Sequence, residues 1–200
     1  PQISPLLDTV KLRKIVVACY SDYLDSSEQD LPGWLLAPRA ALTDARLCPW
    51  QEALQSGYIP APHAAGPEDL ACMPYTSGTT GHPKGCMHTH RSLMFNAVSG
   101  AIWGGAGSPD QVLLLSLPLF HVTGMQISMN AAIYAGATLI IMARWDRDLA
   151  GRLITEHKVT GWTCIPTMMI DFLSNPKLSD YEIRSLKRVS GGGAAMPAAI

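Results

Sequence analysis

Charge is scarce in this chain and nearly balanced. Charged residues make up 16% of its 200 positions and the formal net charge is −1, so there is no basic footprint for nucleic acid. The short run Leu12-Arg13-Lys14 reads as ordinary surface. No apolar run approaches the ~20 residues of a membrane-spanning helix, and no signal peptide is visible. The five cysteines, Cys19, Cys48, Cys72, Cys86 and Cys164, are odd in number and contain no C-x-x-C pair. They read as reduced thiols of a cytoplasmic protein, not as a disulfide frame. There is no internal repeat. The most pointed absence is local: no Asp or Glu occurs from Leu70 to Pro109, so nothing there repels an anion.

That acid-free stretch holds the segment around which the chain is organised, Tyr75-Thr76-Ser77-Gly78-Thr79-Thr80-Gly81-His82-Pro83-Lys84-Gly85. Its glycines permit positive φ and close backbone approach to a ligand. Successive N–H groups in such a turn make a concave anion site. The hydroxyls of Thr76, Ser77, Thr79 and Thr80 can donate to phosphate oxygens, and Lys84 adds a point charge. Each hydrogen bond to a charged partner contributes roughly 1.5–3 kcal/mol, so a few would hold a polyphosphate. A Walker-type P-loop requires G-x-x-x-x-G-K-[ST]. Here Gly78 and Gly81 stand too close together, Pro83 precedes the lysine and Gly85 follows it, so that pattern fails. A merely flexible loop fits poorly with Pro83 and the apolar flanks.

Read in order, Ser4 to Lys11 suggests the end of a helix and Ile15 to Ala18 a strand. Ser21 to Gly33 is turn-rich, and Trp34 to Leu47 is weakly helical. A short helix over Pro49 to Leu54 is stopped by Gly57, and Ile59 to Pro67 is a proline-rich connector. Leu70 to Tyr75 reads as a strand delivering the loop, and Cys86 to His88 as its return. Thr89 then caps a helix to about Ile102, with Leu93, Met94, Ala97, Val98 and Ala101 on its apolar face. Val112 to Leu117 is a near-continuous apolar run suited to a central strand. A helix from Met125 to Tyr134 follows, with Met125, Met129, Ala132 and Ile133 on one face and Gly136 after its end. Ala137 to Met142 reads as a buried strand, and Asp146 caps a helix that buries Leu149, Ala150, Leu153 and Ile154. Val159 to Cys164 is a strand, Pro166 opens a helix that Asn175-Pro176 ends, and Leu186 to Val189 is the last strand. The alternation from Leu70 predicts an α/β fold with a mainly parallel sheet and flanking helices. In such sheets ligands bind beyond the carboxyl ends of the strands. On this reading three distinctive loops share one edge. His82, His88 and His90 raise a zinc site, but no Cys, Asp or Glu stands close by to complete four ligands, so no metal site is expected.

Tyr75 to Gly85 resembles the phosphate-binding signature of the adenylate-forming superfamily, which includes acyl-CoA synthetases, luciferase-like enzymes and adenylation domains of peptide synthetases. Leu117-Pro118-Leu119-Phe120-His121-Val122-Thr123-Gly124 is similar to the family's second motif, and Ser190 to Pro197 to its glycine–alanine turn. The resemblance implies part of the large N-terminal domain of an acyl-CoA synthetase-like fold. Residues 1–69 would be the end of a preceding subdomain plus connector, and 70–200 a nucleotide- and acyl-binding subdomain. It implies a ligase that activates a carboxylic acid with ATP, releasing pyrophosphate, and passes the acyl group to coenzyme A. The block Thr76, Ser77, Gly78, Thr79, Thr80, Gly81 and Lys84 would hold the phosphates, and Gly192, Gly193 and Ala194 would lie against adenine. His121 would border the carboxylate end of the acid. Met125, Met129, Met168 and Met169 offer an acyl tunnel, with core packing the better assignment.

The second motif reads Phe120-His121-Val122 without a carboxylate, which by the resemblance favours fatty acids first, then aryl acids, over amino acids. Mg2+ ligands would lie mostly outside this stretch, and a homodimer is compatible with the reading. Pro1, not Met, begins the chain and Ile200 closely follows Pro197, which together suggest an internal fragment; the family's later motifs have no match before Ile200, so the resemblance implies a fragment inactive by itself. The rival classes are a catalytically silent nucleotide-binding module and a phosphotransferase that would yield ADP.

Overall fold

The computed structural model describes residues 7, 9–24, 33–76, 81–103, 108–195 and 197. The chain forms two compact units, Pro1–His63 and Ala64–Ile200.

In the first unit, β1 (Ile15–Val17) pairs parallel with β2 (Leu47–Pro49), Val16 opposite Cys48. One helical turn, α1 (Gly33–Leu36), stands where Trp34 to Leu47 read as weakly helical, because Pro38 removes a donor and restricts the residue before it. α2 (Trp50–Gln55) follows Pro49 directly, and Gly57 beyond it has φ +69°. Residues 7 and 9–11 are turn or irregular backbone, not the end of a helix; residues 4–6 and 8 lie outside the described set. Asp44 grips Arg46 through its backbone N (2.8 Å), Nε (2.9 Å) and Nη2 (2.7 Å). This donor fork pulls the Asp44 carboxyl down to about 2.

The second unit is built on a four-stranded sheet, ordered β10 (Arg188–Gly191), β9 (Gly161–Cys164), β7 (Val112–Leu115), β8 (Thr138–Ile141), with every pair parallel. The apolar run at 112–117 becomes interior strand β7, covered on both faces, as its composition requires. On one face Leu114, Trp162 and Cys164 meet Ala150 and Ile154 of α5 (Arg147–His157) and Met169 and Phe172 of α6 (Pro166–Leu173). Trp162 stacks on Trp145 at 5.5 Å and meets Phe172 edge-on at 5.6 Å. Its buried Nε1–H donates to Ser116 Oγ at 2.9 Å, so the largest core side chain leaves no unsatisfied donor. Met168 and Met169 belong to this core and not to a tunnel. Asp146 caps α5 by accepting from Leu149 N at 2.8 Å, satisfying one orphan N–H.

On the other face Leu113 packs on Ala132. Here the structure departs from the expected helix. Thr123–Asn130 is a π-helix that passes into α4 (Ala131–Ala135), which Gly136 ends at φ +72°. The wider turn rotates the inward face: Gly124, Gln126, Ser128, Ala131 and Ala132 are buried, whereas Ile133 is 64% exposed. Periodicity of 3.6 cannot find this face, because i→i+5 bonding shifts every later side chain. α3 (His90–Trp103) packs against the π-helix and α4. Ala97 and Ala101 are buried, but Met94 is exposed. β8 is an edge strand in the described sheet, so Ile141 is exposed where a buried strand was expected.

Two more departures concern the signature. Leu70 to Tyr75 is not one strand of the parallel sheet. It divides at Met73-Pro74 into β3 (Leu70–Cys72), antiparallel to β6 (His88–Thr89), and β4 (Tyr75–Thr76), antiparallel to β5 (Lys84–Gly85). Proline has no N–H to continue the first ladder. The last strand also runs two residues later than expected. No helix among the described residues is long and apolar enough to cross a membrane.

Candidate active site

The signature folds as a hairpin whose last described pairs are Tyr75 opposite Gly85 and Thr76 opposite Lys84. Thr76 and Lys84 therefore close the loop from its two sides, their Cβ atoms about 5 Å apart by ladder geometry. Both are exposed. Gly81 has φ +95°, which an L side chain rarely adopts. Ser77, Gly78, Thr79 and Thr80 lie outside the described residues. At the base, Cys86 N donates to Pro74 O at 2.9 Å.

The second motif leaves the carboxyl end of β7 and turns tightly. His121 N donates to Pro118 O at 3.1 Å, and Met125 N to His121 O at 2.9 Å. Thr123 N donates to His121 Nδ1 at 3.2 Å. An accepting Nδ1 leaves the proton of the neutral ring on Nε2, so Nε2–H is the group free to donate to an oxygen. Gly124 is required by contact, since a Cβ there would lie 2.3 Å from Pro118 O.

These two loops meet. A cavity of about 380 Å³ is lined by Pro74, Tyr75 and Thr76 from the first, Phe120, His121 and Val122 from the second, and Cys86 and His88. Sequence reasoning named Thr76 and His121 for the site, but not Pro74, Cys86 or His88 as wall residues. Their only signal was proximity to the signature, because the breaks between β3 and β4 and between β5 and β6 turn them inward. His88 is half-buried, with Nδ1 3.5 Å from Ser92 Oγ.

The third loop leaves β10. Gly192 N donates to Cys164 O at 3.3 Å, and Gly193 has φ +84°. Gly192, Gly193 and Ala194 are exposed and do not line the cavity. They share the carboxyl edge of the parallel sheet with the His121 loop, whereas the signature hairpin stands on its own antiparallel pair. The three-loops-on-one-sheet expectation is corrected to two loops on the sheet and one beside it.

Chemically, the hairpin presents a cation and a hydroxyl in a region with no carboxylate, which suits a polyphosphate. The cavity adds the imidazoles of His88 and His121 and the apolar Phe120 and Val122, which suits the head of an organic acid. Among the described residues no group of three or more His, Cys, Asp or Glu side chains is placed to hold a metal.

The family model for AMP-binding enzymes matches residues 8–200. A 4-coumarate–CoA ligase 3 of Oryza sativa subsp. japonica is 33% identical over 150 residues, covering 74% of this chain and 27% of that protein. A long-chain-fatty-acid–CoA ligase of Bacillus subtilis (strain 168) is 35% identical over 130 residues, covering 64% of this chain and 23% of that protein. The crystal structure of ATP-bound MatB from Rhodopseudomonas palustris superposes with a TM-score of 0.66 at 26% identity, covering 76% of this chain and 31% of that one. The chain spans about a quarter of the length of the curated relatives it matches.

Proposed function

The chain belongs to the AMP-binding enzyme family, and from that premise we propose that it carries the phosphate- and acid-binding part of an acid–thiol ligase. The reaction joins a carboxylate to the α-phosphorus of ATP with release of pyrophosphate, then passes the acyl group to the thiol of coenzyme A. The acid has an apolar body, fatty or aryl, and lacks an ammonium group. The observation that carries this reading is the single cavity walled by both Thr76 of the signature and His121 of the second motif.

Each residue has a defined task. Lys84 and Thr76 face each other across the hairpin and would hold the outer phosphates, stabilising charge as pyrophosphate departs. Gly81, at φ +95°, would let backbone come close to them. His121, with its Nδ1 engaged, would offer Nε2–H to an oxygen of the acid and hold it for in-line attack. Phe120 and Val122 would exclude water from its first carbons. Gly192, Gly193 and Ala194 would provide side-chain-free backbone for adenine. ATP, coenzyme A and Mg2+ are the implied ligands, with the metal's ligands supplied from elsewhere. A cytoplasmic setting fits the free cysteines, and the 200 residues alone would not complete adenylation.

The test is carboxylate-dependent exchange of labelled pyrophosphate into ATP by the intact protein, over short, medium, long-chain and aromatic acids. The expected products are AMP and pyrophosphate; ADP would overturn the reading. Lys84→Ala should lower exchange roughly tenfold to hundredfold, the loss of a hydrogen-bonded charge on phosphate.

A further inference from the structure

The two histidines that wall the cavity of about 380 Å³ are wired in opposite senses. His121 Nδ1 accepts from Thr123 N at 3.2 Å, which leaves Nε2–H as a donor. His88, on β6, has its Nδ1 3.5 Å from Ser92 Oγ in the first turn of α3. Ser92 has one hydroxyl proton, and Thr89 O takes it at 3.0 Å. Ser92 Oγ therefore meets His88 as an acceptor, with the ring proton on Nδ1 between them. That tautomer leaves a lone pair on His88 Nε2. The imidazole that the sequence offered only as a zinc ligand is thus a hydrogen-bond acceptor at its free nitrogen.

One cavity thus holds an imidazole that donates and an imidazole that accepts, the division of roles from which acid and base assignments are read. No carboxylate stands among its lining residues, which leaves imidazole as its general base. The proposed reaction gives a base there one task. Joining a carboxylate to the α-phosphorus of ATP moves no proton. Passing the acyl group to a thiol releases one, because an ordinary cysteine-type thiol titrates at about 8.5 and arrives mostly protonated at pH 7. The attacked carbon is bonded to the oxygen that His121 holds, so that proton is released inside the cavity that His88 shares.

We propose that His88 Nε2 accepts the thiol proton in the second half of the reaction. This rests on the ligase reading above. As the S–C bond forms, the S–H proton passes to His88 Nε2. The C–O bond to the phosphate then breaks, and its electron pair leaves with AMP. His121 Nε2–H donates to the acyl oxygen while negative charge builds there. Ser92 Oγ, already accepting from Nδ1, steadies the imidazolium. His88 is half-buried, so its ring can return the proton to water before the next turnover.

Two measurements on the intact protein test this. Nitrogen-15 NMR of histidine-labelled protein reads the neutral tautomers without any substrate, with His88→Gln and His121→Gln assigning the signals. His88 should carry its proton on Nδ1 and His121 on Nε2; a proton on His88 Nε2 overturns the proposal. The second measurement separates the half-reactions, using the acid that gives the strongest exchange. Pyrophosphate exchange reads the first half, and single-turnover transfer from the preformed acyl-adenylate to coenzyme A reads the second. His88→Gln should slow transfer roughly hundredfold more than it slows exchange. Added imidazole should restore part of the transfer in His88→Ala and leave its exchange unchanged. Equal losses in the two halves, or transfer that imidazole does not raise, overturn the proposal while leaving adenylation standing. No exchange with any acid in wild type overturns both.

Discussion

Replacing Gly124 by alanine should damage the site through one atom. The added Cβ would lie 2.3 Å from Pro118 O, 2.9 Å from Pro118 C and 3.1 Å from Leu117 O. These are backbone atoms of a tight, hydrogen-bonded turn and cannot swing aside as a side-chain tip would. Since real Cβ contacts do not fall below 3.0 Å, the turn must open by about 0.7 Å. The carbonyl struck is the one that accepts from His121 N, so the shift strains the bond that seats the histidine. Overpacking of this kind costs roughly 1–3 kcal/mol, and weakening the bond adds up to about 1 kcal/mol. The protein should stay folded at 25 °C, with a melting temperature lower by several degrees. Pyrophosphate exchange should fall more than the folded fraction does, because displacement near 1 Å at a positioning group costs on the order of 100-fold in rate. Paired thermal melts and exchange assays at 20 °C test this. An unchanged melting temperature with unchanged exchange would refute the contact argument, and a stability loss with full activity would refute the role of the His121 turn.

The other predictions concern protonation and thiols. In the first unit, Asp44 is held at about 2 by the Arg46 donors, below its ordinary 3.8. A depressed carboxyl contributes stability that is fully present above pH 4 and is lost as pH falls from 4 through 2. A carbon-detected NMR titration should place the Asp44 midpoint near 2, and Asp44→Asn should abolish that step; a midpoint at 3.8 would show that the fork is not formed in solution. Among the cysteines, Cys86 is exposed and lines the large cavity, whereas Cys164 is 1% exposed and burial pushes its thiol up to about 11. Maleimide at neutral pH should therefore label Cys86 and spare Cys164 until denaturant is added. ATP with a carboxylate substrate should slow the labelling of Cys86, and labelling that ignores both ligands would separate this cavity from the substrate site.

Local chemistry in the sequence determined a good deal by itself. Val112 to Leu115 reads as an interior strand by itself, since four successive apolar residues suit a strand covered on both faces. Asp146 before Leu149 and Pro166 at a helix start act within one turn, so their capping roles needed no tertiary information. The anion-binding character of Tyr75 to Gly85 follows from its residue types, and the Lys84–Thr76 facing pair follows once that segment is a hairpin. The tertiary structure alone decided three other matters. Pro74 splits a strand that β propensity would extend, which sends the signature to its own antiparallel pair. The change to i→i+5 bonding at Thr123 turned Ser128 and Gln126 inward and Ile133 outward, because a helix's pitch is set by the packing around it and not by its own residues. Finally, the wall formed by Cys86, His88 and His121 joins residues more than thirty positions apart. Only the closure of the chain, with its balance of burial against backbone hydrogen bonding, brings such residues to one cavity.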